Sequence, residues 1–507
     1  MRLLRTASAA LALTIACLAP GAPAHAAYPA DSSAAANDPL ADLVDLYAFV
    51  NPFCQTVAGQ GCEADPEELI LALTLNPEAT GAEQFSEDVV YHFYFENDSG
   101  EEDQIDCSFS ADQVVSCAGL DGLSVEARVG ETAVNGDLRV YAGLRDNPMW
   151  FDFEAFELFQ TIGIAAYSPP GVDSLAGTNV LAIVLGIKVT AMSSGSTPDH
   201  NVQKIWAASE RVGGDGINGA ISGSWYNSAQ SGQGWVVEVV GRASGESDFL
   251  AYFYGYDNNG EQLWLITGAS VIDGNQASAD VYRTSATGFG GDYDRGSFVL
   301  GDVVGSVTFD FETCDSGTAS FTSADTAVLA DFSHDIVRLS SIASLDCSLL
   351  SAGQVDRVGR PFAAALIPAD MRDAYNANDD PDTWVAAYSA PLQASLEQLA
   401  TADGDPAWNG FYTLEDWVEV FADDRLQVDI KLAQSVDFMT IERAVIEGTA
   451  ELNPDSSGRR LDYDIHENLF NVLITSFDPF VDDYVDGVDG GNDVPFLDDF
   501  PFLASPH

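Results

Sequence analysis

Residues 89–97 read VVYHFYFEN. Side chains of an extended chain alternate between two faces, so Val89, Tyr91, Phe93 and Phe95 share one face and His92 lies on the other. Runs of similar length and texture surround this one: DLYAFVNP from residue 45, ELILALTLNP from 68, IDCSFS from 105, QVVSCAGL from 113, LRVYAGL from 138 and NVLAIVLGIKV from 179. They are rich in β-branched and aromatic residues and separated by turn formers. That pattern predicts an antiparallel, sandwich-like β domain.

Near residue 210 the texture changes at a glycine-rich junction, RVGGDGINGA. Residues 215–350 then read as a compact antiparallel β-module, with DNNG at 257–260 as a hairpin turn. From 360 to 450 the period becomes helical, as in DTWVAAYSAPLQASLEQLATADG and TLEDWVEVFADD. A tail rich in Asp and Gly closes the chain. The expected class is therefore mainly β with a helical C-terminal portion, an α+β fold.

Arg2 and Arg5 precede the apolar stretch ALALTIACLAP, and Ala24-His25-Ala26 fits a small-residue cleavage site. Residues 1–26 are thus expected to be a secretory signal peptide, with 27–210 as the first β-rich part. The expected location is the periplasm or beyond. A lipoprotein built on Cys17 is disfavoured, because Thr14 stands where an aliphatic residue is wanted. No later run is apolar for long enough to span a bilayer.

Beyond the signal, six cysteines remain: Cys54, Cys62, Cys107, Cys117, Cys314 and Cys347. An even count in an exported chain reads as disulfides, and no C-x-x-C spacing points to zinc. Pairing between neighbours is simplest (Cys54–Cys62, Cys107–Cys117, Cys314–Cys347), although other pairings stay open.

Asp and Glu number 79 against 20 Lys and Arg, a net charge of −59. Such a field repels nucleic acid and anionic membranes and attracts cations and basic partners. A hydrophobic content of 46% argues against disorder. A lysine-poor acidic coat also suits a saline habitat, where salt screens the self-repulsion.

Local catalytic motifs are absent. There is no G-x-S-x-G elbow, and HENLF at His466 lacks the second histidine of a zincin. Gly214, Gly216 and Gly219 spell G-x-G-x-x-G, but the run that follows looks like a strand instead of the helix a dinucleotide site needs. His92, His200, His334, His466 and His507 show no metal-ligand spacing, so each is expected to be a hydrogen-bonded structural residue.

The aspartates are the remaining candidates. Asp38, Asp42 and Asp45 in NDPLADLVDLYAFVNP have a helical i, i+4, i+7 spacing. The structural reading makes Asp38 an N-cap before Pro39, places Asp42 near the positive end of a short helix, and puts Asp45 at a helix-to-strand junction. The alternative is a cation site. In the tail, Asp482, Asp486, Asp489 and Asp493 suggest a loose Ca²⁺ loop, because hard cations want several oxygens. Tyr484 stands where an EF-hand needs an oxygen ligand. Arg357 and Arg360 are expected to neutralise buried acids, and Arg145 to pair with Asp146. Trp225, Tyr226, Trp235, Tyr252, Tyr254 and Trp264 are read as core residues in preference to a sugar-stacking surface.

Five segments together resemble the bacterial secreted domain-of-unknown-function family 4331. They are DPLADLVDLYAFVNP, YAGLRDNPMWFDFEAF (141–156), LAGTNVLAIVL (from 175), QVDRVGRP (354–361) and DGVDGGNDVPFLDDFPFLASPH. The resemblance spans most of 28–210 and 351–507, and implies that 215–350 is an insertion. That block in turn resembles a small secreted proteobacterial β-module. The chain departs from the family at YPADSSAAAN, where a Ser-His-Arg-Glu-Ala-like segment is expected. Neither resemblance implies a reaction. The expected role is a non-catalytic binding or structural protein outside the cell, with Ca²⁺ as the candidate cofactor. Polysaccharide or surface proteins are candidate partners, and a hydrolase with fold-assembled carboxylates is the rival.

Overall fold

The structure, a computed structural model, describes residues 32–507 apart from 37, 52–66, 78, 157–169, 193–196, 198, 213–215, 242–246, 289, 312, 343–352, 400–411, 434–437, 451–452, 471–472, 474–485 and 489. The proposed signal peptide therefore lies outside the described residues.

Ten described strands precede the change of texture: β1 Leu43–Asn51, β2 Glu68–Leu75, β3 Val89–Asn97, β4 Glu102–Phe109, β5 Val114–Gly119, β6 Leu123–Arg128, β7 Thr132–Asn135, β8 Leu138–Asp146, β9 Asn179–Lys188 and β10 Val202–Arg211. Eight follow within the module: β11 Gly223–Tyr226, β12 Gly234–Gly241, β13 Ser247–Tyr256, β14 Gln262–Asp273, β15 Gln276–Thr287, β16 Asp294–Phe311, β17 Ser316–Ser323 and β18 Phe332–Arg338. β19 Gly353–Val358 and β20 Leu426–Asp429 come last.

These strands build two antiparallel sheets and one closed barrel. The first sheet runs β1-β2-β9-β8-β7, and the second β19-β10-β3-β4-β5-β6 with β20 also on β10. Val89, Tyr91, Phe93 and Phe95 are buried together with Leu69, Leu71, Leu73 and Leu75 in one core. β2 is buried along its whole length. Its Ile70 and Ala72 join a second cluster on the opposite face, with Tyr47, Phe49, Phe502 and Leu503. A strand covered on both faces loses its alternation, which explains the unbroken ELILALTL.

The tail supplies that second cover. Phe502 packs edge-on to Phe49 at 5.8 Å, and the guanidinium of Arg139 lies 4.1 Å from the Phe500 ring centre. The helices cover the second sheet: Trp384, on the helix Pro381–Leu399, meets Trp206 of β10 at 5.9 Å, and Trp206 stacks on Tyr94 at 5.0 Å. No described helix is long and apolar enough to cross a membrane.

β10 and β19 are antiparallel neighbours, Ala207 facing Val358 and Arg211 facing Gly353. The chain therefore leaves the sheet at the end of β10, forms the barrel, and returns on the adjacent strand. The barrel's eight strands pair in sequence order and close through β11 and β18. Trp225 and Trp235 lie in its core, whereas Tyr254 and Trp264, opposite one another on β13 and β14, are exposed.

Cys107 and Cys117 are opposed on β4 and β5 and form a disulfide. Cys314 is also disulfide-bonded, while Cys54, Cys62 and Cys347 lie outside the described residues.

The helix expected after Asp38 is not formed. Residues 39–41 make a turn, in which Asp38 O accepts the N–H groups of Ala41 (2.8 Å) and Asp42 (3.0 Å), and β1 starts at Leu43. Asp45 lies inside β1, beside a bulge between Leu43 and Asp45. Too few residues separate Pro39 from the sheet for a helix to develop.

Candidate functional site

The aspartates of the opening stretch go separate ways. Both carboxylate oxygens of Asp38 accept from Arg211 at the end of β10, each at 2.7 Å. Asp45 Oδ1 accepts from Nη1 of Arg459. Gly458 makes that approach possible: it has φ +83°, and Ala48 O occupies the space a Cβ would need. Among the described residues, no group of three metal-ligating side chains includes Asp38, Asp42 or Asp45.

Asp45 instead lines a cavity of about 90 Å³ assembled from segments far apart in sequence. Leu43–Asp45 come from the start of β1, Met149, Phe153 and Phe156 from the segment after β8, and Asp356–Phe362 from β19 and its continuation. Asn376, Asp424 and His466 complete it from the helical portion. The walls are apolar, and the polar groups fall into two kinds.

Asp356 and Asp424 hold the site together. Asp356 Oδ2 accepts the N–H of Leu43 at 2.9 Å and Oδ1 that of Arg357 at 2.8 Å, and Asn376 Nδ2 also donates to Oδ1. Asp424 Oδ1 accepts the N–H of Arg360 at 2.7 Å. Gly359 permits this closure, because a Cβ there would collide with Asp424 O. Burial pushes the Asp424 carboxyl up to about 6 against the pull of Arg357. Arg360 pairs with Glu442 at 2.5 Å, both fully buried, as its expected role requires.

Asp45, Arg357 and His466 have spare capacity. Among the described residues no hydrogen bond reaches Asp45 Oδ2, and burial raises its pKa although Arg459 and Tyr47 oppose the shift. Arg357 sits between the rings of Tyr375 (3.8 Å) and Trp384 (3.6 Å), and its Nε and Nη2 find no acceptor among the described residues. Its role is thus a stacked cation, with no carboxylate in a bidentate pair. His466 is buried and stacked on Phe151 at 4.4 Å, with Nε2 unpartnered among the described residues. Burial, reinforced by Arg459, holds its pKa well below the usual value, so the imidazole is neutral. Phe362, another wall residue, has φ +64°, a conformation costly for a bulky side chain. Buried polar atoms normally find partners, in protein or in ordered water, so several unsatisfied ones around one cavity make it the candidate site.

The other histidines lie elsewhere. His92 is 2.7 Å from Asp106 and 3.1 Å from Glu210, and His200 is 2.7 Å from Asp429. Both are structural hydrogen-bonded residues, as expected. Arg145 stacks over Tyr141 at 4.1 Å, whereas Asp146 accepts from Asn492 at 2.6 Å and lies 2.9 Å from His507 Nε2.

The two described tail candidates, Asp486 and Asp493, fall in different acidic groups. Asp493 groups with Asp146 and His507, and Asp486 with Asp464 and Glu467. Asp482 and Asp489 lie outside the described residues. The sequence suggested Asp146 only as a partner for Arg145 and gave no sign of either group, because no spacing links 146 to 493 or 464 to 486.

No family model, curated protein or solved structure matches this chain.

Proposed function

We propose that this is an exported, non-catalytic binding protein that holds a small polar molecule in the Asp45–Arg357–His466 cavity. The observation that carries the reading is a set of buried atoms on the cavity wall with no partner among the described residues: Asp45 Oδ2, Arg357 Nε and Nη2, Asn376 Oδ1 and His466 Nε2. A ligand with an acceptor for Arg357 and a donor for Asp45 satisfies them, and its nonpolar part meets Phe153, Phe156 and Phe362. Three of the five segments that resemble family 4331 contribute to this cavity. A scaffold role alone does not require that concentration.

Binding is favoured over hydrolysis. The lining contains no Ser, Thr, Cys or Lys nucleophile, and Asp356 and Asp424 are already occupied by backbone N–H groups. A carboxylate-pair hydrolase needs two available acids.

The test is native mass spectrometry of protein exported by its own host, compared with an Ala365→Phe variant that fills the cavity. A bound small molecule lost in the variant, with the melting temperature retained, is expected. Apo protein throughout, or a ligand kept by the variant, removes the proposal.

Calcium is a second reading, resting on one observation. Asp464, Glu467 and Asp486 offer oxygens within 4.8 Å of one another, with Asp486 buried. An all-oxygen set suits Ca²⁺ better than the set containing His507. Calorimetric titration of EDTA-treated protein is expected to give saturable heat that Asp486→Asn abolishes. No heat in the unsubstituted protein rejects calcium.

A further inference from the structure

The barrel contains a second cavity, of about 230 Å³. An eight-stranded barrel is just wide enough for its interior to be filled by side chains or to take one small ligand. Here both occur. Phe249, Phe309 and Phe311 fill the interior together with Trp225. The cavity opens where β11 meets β12, β13 meets β14 and β17 meets β18. The chain enters at the start of β11 and leaves at the end of β18, so this mouth is at the opposite end of the barrel.

Its chemistry is graded along the barrel. The strands contribute an apolar interior: Trp235, Phe253, Leu265, Phe321 and Ile336. The connections contribute uncharged polar groups at the mouth: Asn227 and Gln230 from one, Asn258 from another. Gln233 Nε2 donates to Gln230 Oε1 at 2.8 Å. That leaves the Gln233 carbonyl as an acceptor and the Gln230 amide as a donor with no partner among the described residues.

No Asp, Glu, Lys or Arg lines this cavity, in a chain with 79 acidic and 20 basic residues; His334, stacked on Phe332 at 4.7 Å, is the one imidazole in its wall. A cation entering would find no carboxylate to replace its hydration. An anion would find no permanent cation, only the His334 imidazole, and would oppose a net charge of −59. A neutral molecule suffers neither penalty. The outer surface at the same end is also apolar, with Tyr254 (53% exposed), Trp264 (48%) and Phe298 (51%) open to solvent. Single exposed apolar residues are ordinary; within the lining itself Tyr256, 52% exposed, gives the mouth an apolar edge open to solvent.

We infer that the barrel is a binding site for a neutral amphiphile, an apolar body ending in a hydroxyl, carbonyl or amide that the Gln230–Gln233 pair recognises. The body lies among the strand residues and the head group at the mouth.

The probe is N-phenyl-1-naphthylamine, which is uncharged and fluoresces in apolar surroundings, titrated into the full chain. Saturable one-to-one binding is expected, with decan-1-ol displacing the probe at a concentration at least tenfold lower than decanoate or decylamine. Ala330→Trp, at the exposed mouth, and Ala319→Trp, on the inner wall, are each expected to weaken binding at least tenfold. Ala365→Phe, in the sandwich cavity, leaves it unchanged. The inference is overturned if no saturable binding occurs or if decanoate competes as well as decanol. It is equally overturned if neutral oligosaccharides displace the probe and decanol does not, or if Ala365→Phe abolishes binding while both barrel variants keep it.

Discussion

Arg211 holds Asp38 through two hydrogen bonds of 2.7 Å, with only 5% and 4% of the two side chains exposed. The pair ties the turn before β1 to the last residue of β10, 173 positions away. It also stands where β10 ends and the chain departs for the barrel. A buried pair is costly to break from one side, because the remaining charge is left without a partner. Arg211→Met is therefore expected to destabilise the protein by about 3–5 kcal/mol in urea unfolding. Asp38→Leu combined with Arg211→Met is expected to recover most of that loss. A double variant as unstable as the single one contradicts this account.

Asp424 makes stability depend on pH in an unusual direction. Its folded carboxyl titrates at about 6 against 3.8 for the free group. At more acidic pH the carboxyl is protonated in folded and unfolded chains alike, and it contributes no penalty. As pH rises above 3.8, the unfolded chain loses this proton first, so stability falls until the folded group ionises near pH 6 and is level afterwards. The loss is about 3 kcal/mol. Asp424→Asn has no such proton to lose. Its stability relative to the unsubstituted protein is expected to rise between pH 4 and pH 7, measured by parallel urea unfolding. A constant or falling difference refutes the assignment.

The Cys107–Cys117 bond joins directly opposed residues, both buried, and closes a short loop. Loop-closure entropy for a ring of this size is worth about 2–3 kcal/mol. Replacing both cysteines with alanine is expected to lower stability by roughly that amount while preserving the far-UV circular dichroism. An unchanged melting temperature would show that the bond contributes little.

With 79 acidic and 20 basic residues, the folded chain repels itself. Raising NaCl from 10 mM to 1 M shortens the Debye length from about 30 Å to 3 Å, and is expected to raise the melting temperature. A flat response would mean that the acidic groups are compensated locally.

Strand content was legible because alternation is a local property. VVYHFYFEN announces a face of Val89, Tyr91, Phe93 and Phe95, and the packing of two sheets only has to accept it. The helical period after residue 360 is local in the same sense, and it returns as the helices Pro381–Leu399 and Leu414–Ala422. The opening aspartates show where such reading stops. Their i, i+4, i+7 spacing describes a helix, but β1 begins at Leu43 because its apolar residues are worth more in the sheet than in one turn of helix. Asp38 then meets Arg211 and Asp45 meets Arg459, 414 residues downstream. No spacing encodes such pairs. A carboxylate removed from water needs a cation, and topology decides which arginine arrives. His466 is the extreme case: an ordinary lone histidine in sequence, it faces the cavity only because β1, β19 and the C-terminal helices converge there. The chain by itself determined its strands, its charge and its helical stretch. Which charges are neutralised, and which polar atoms remain available to a ligand, was decided by long-range packing.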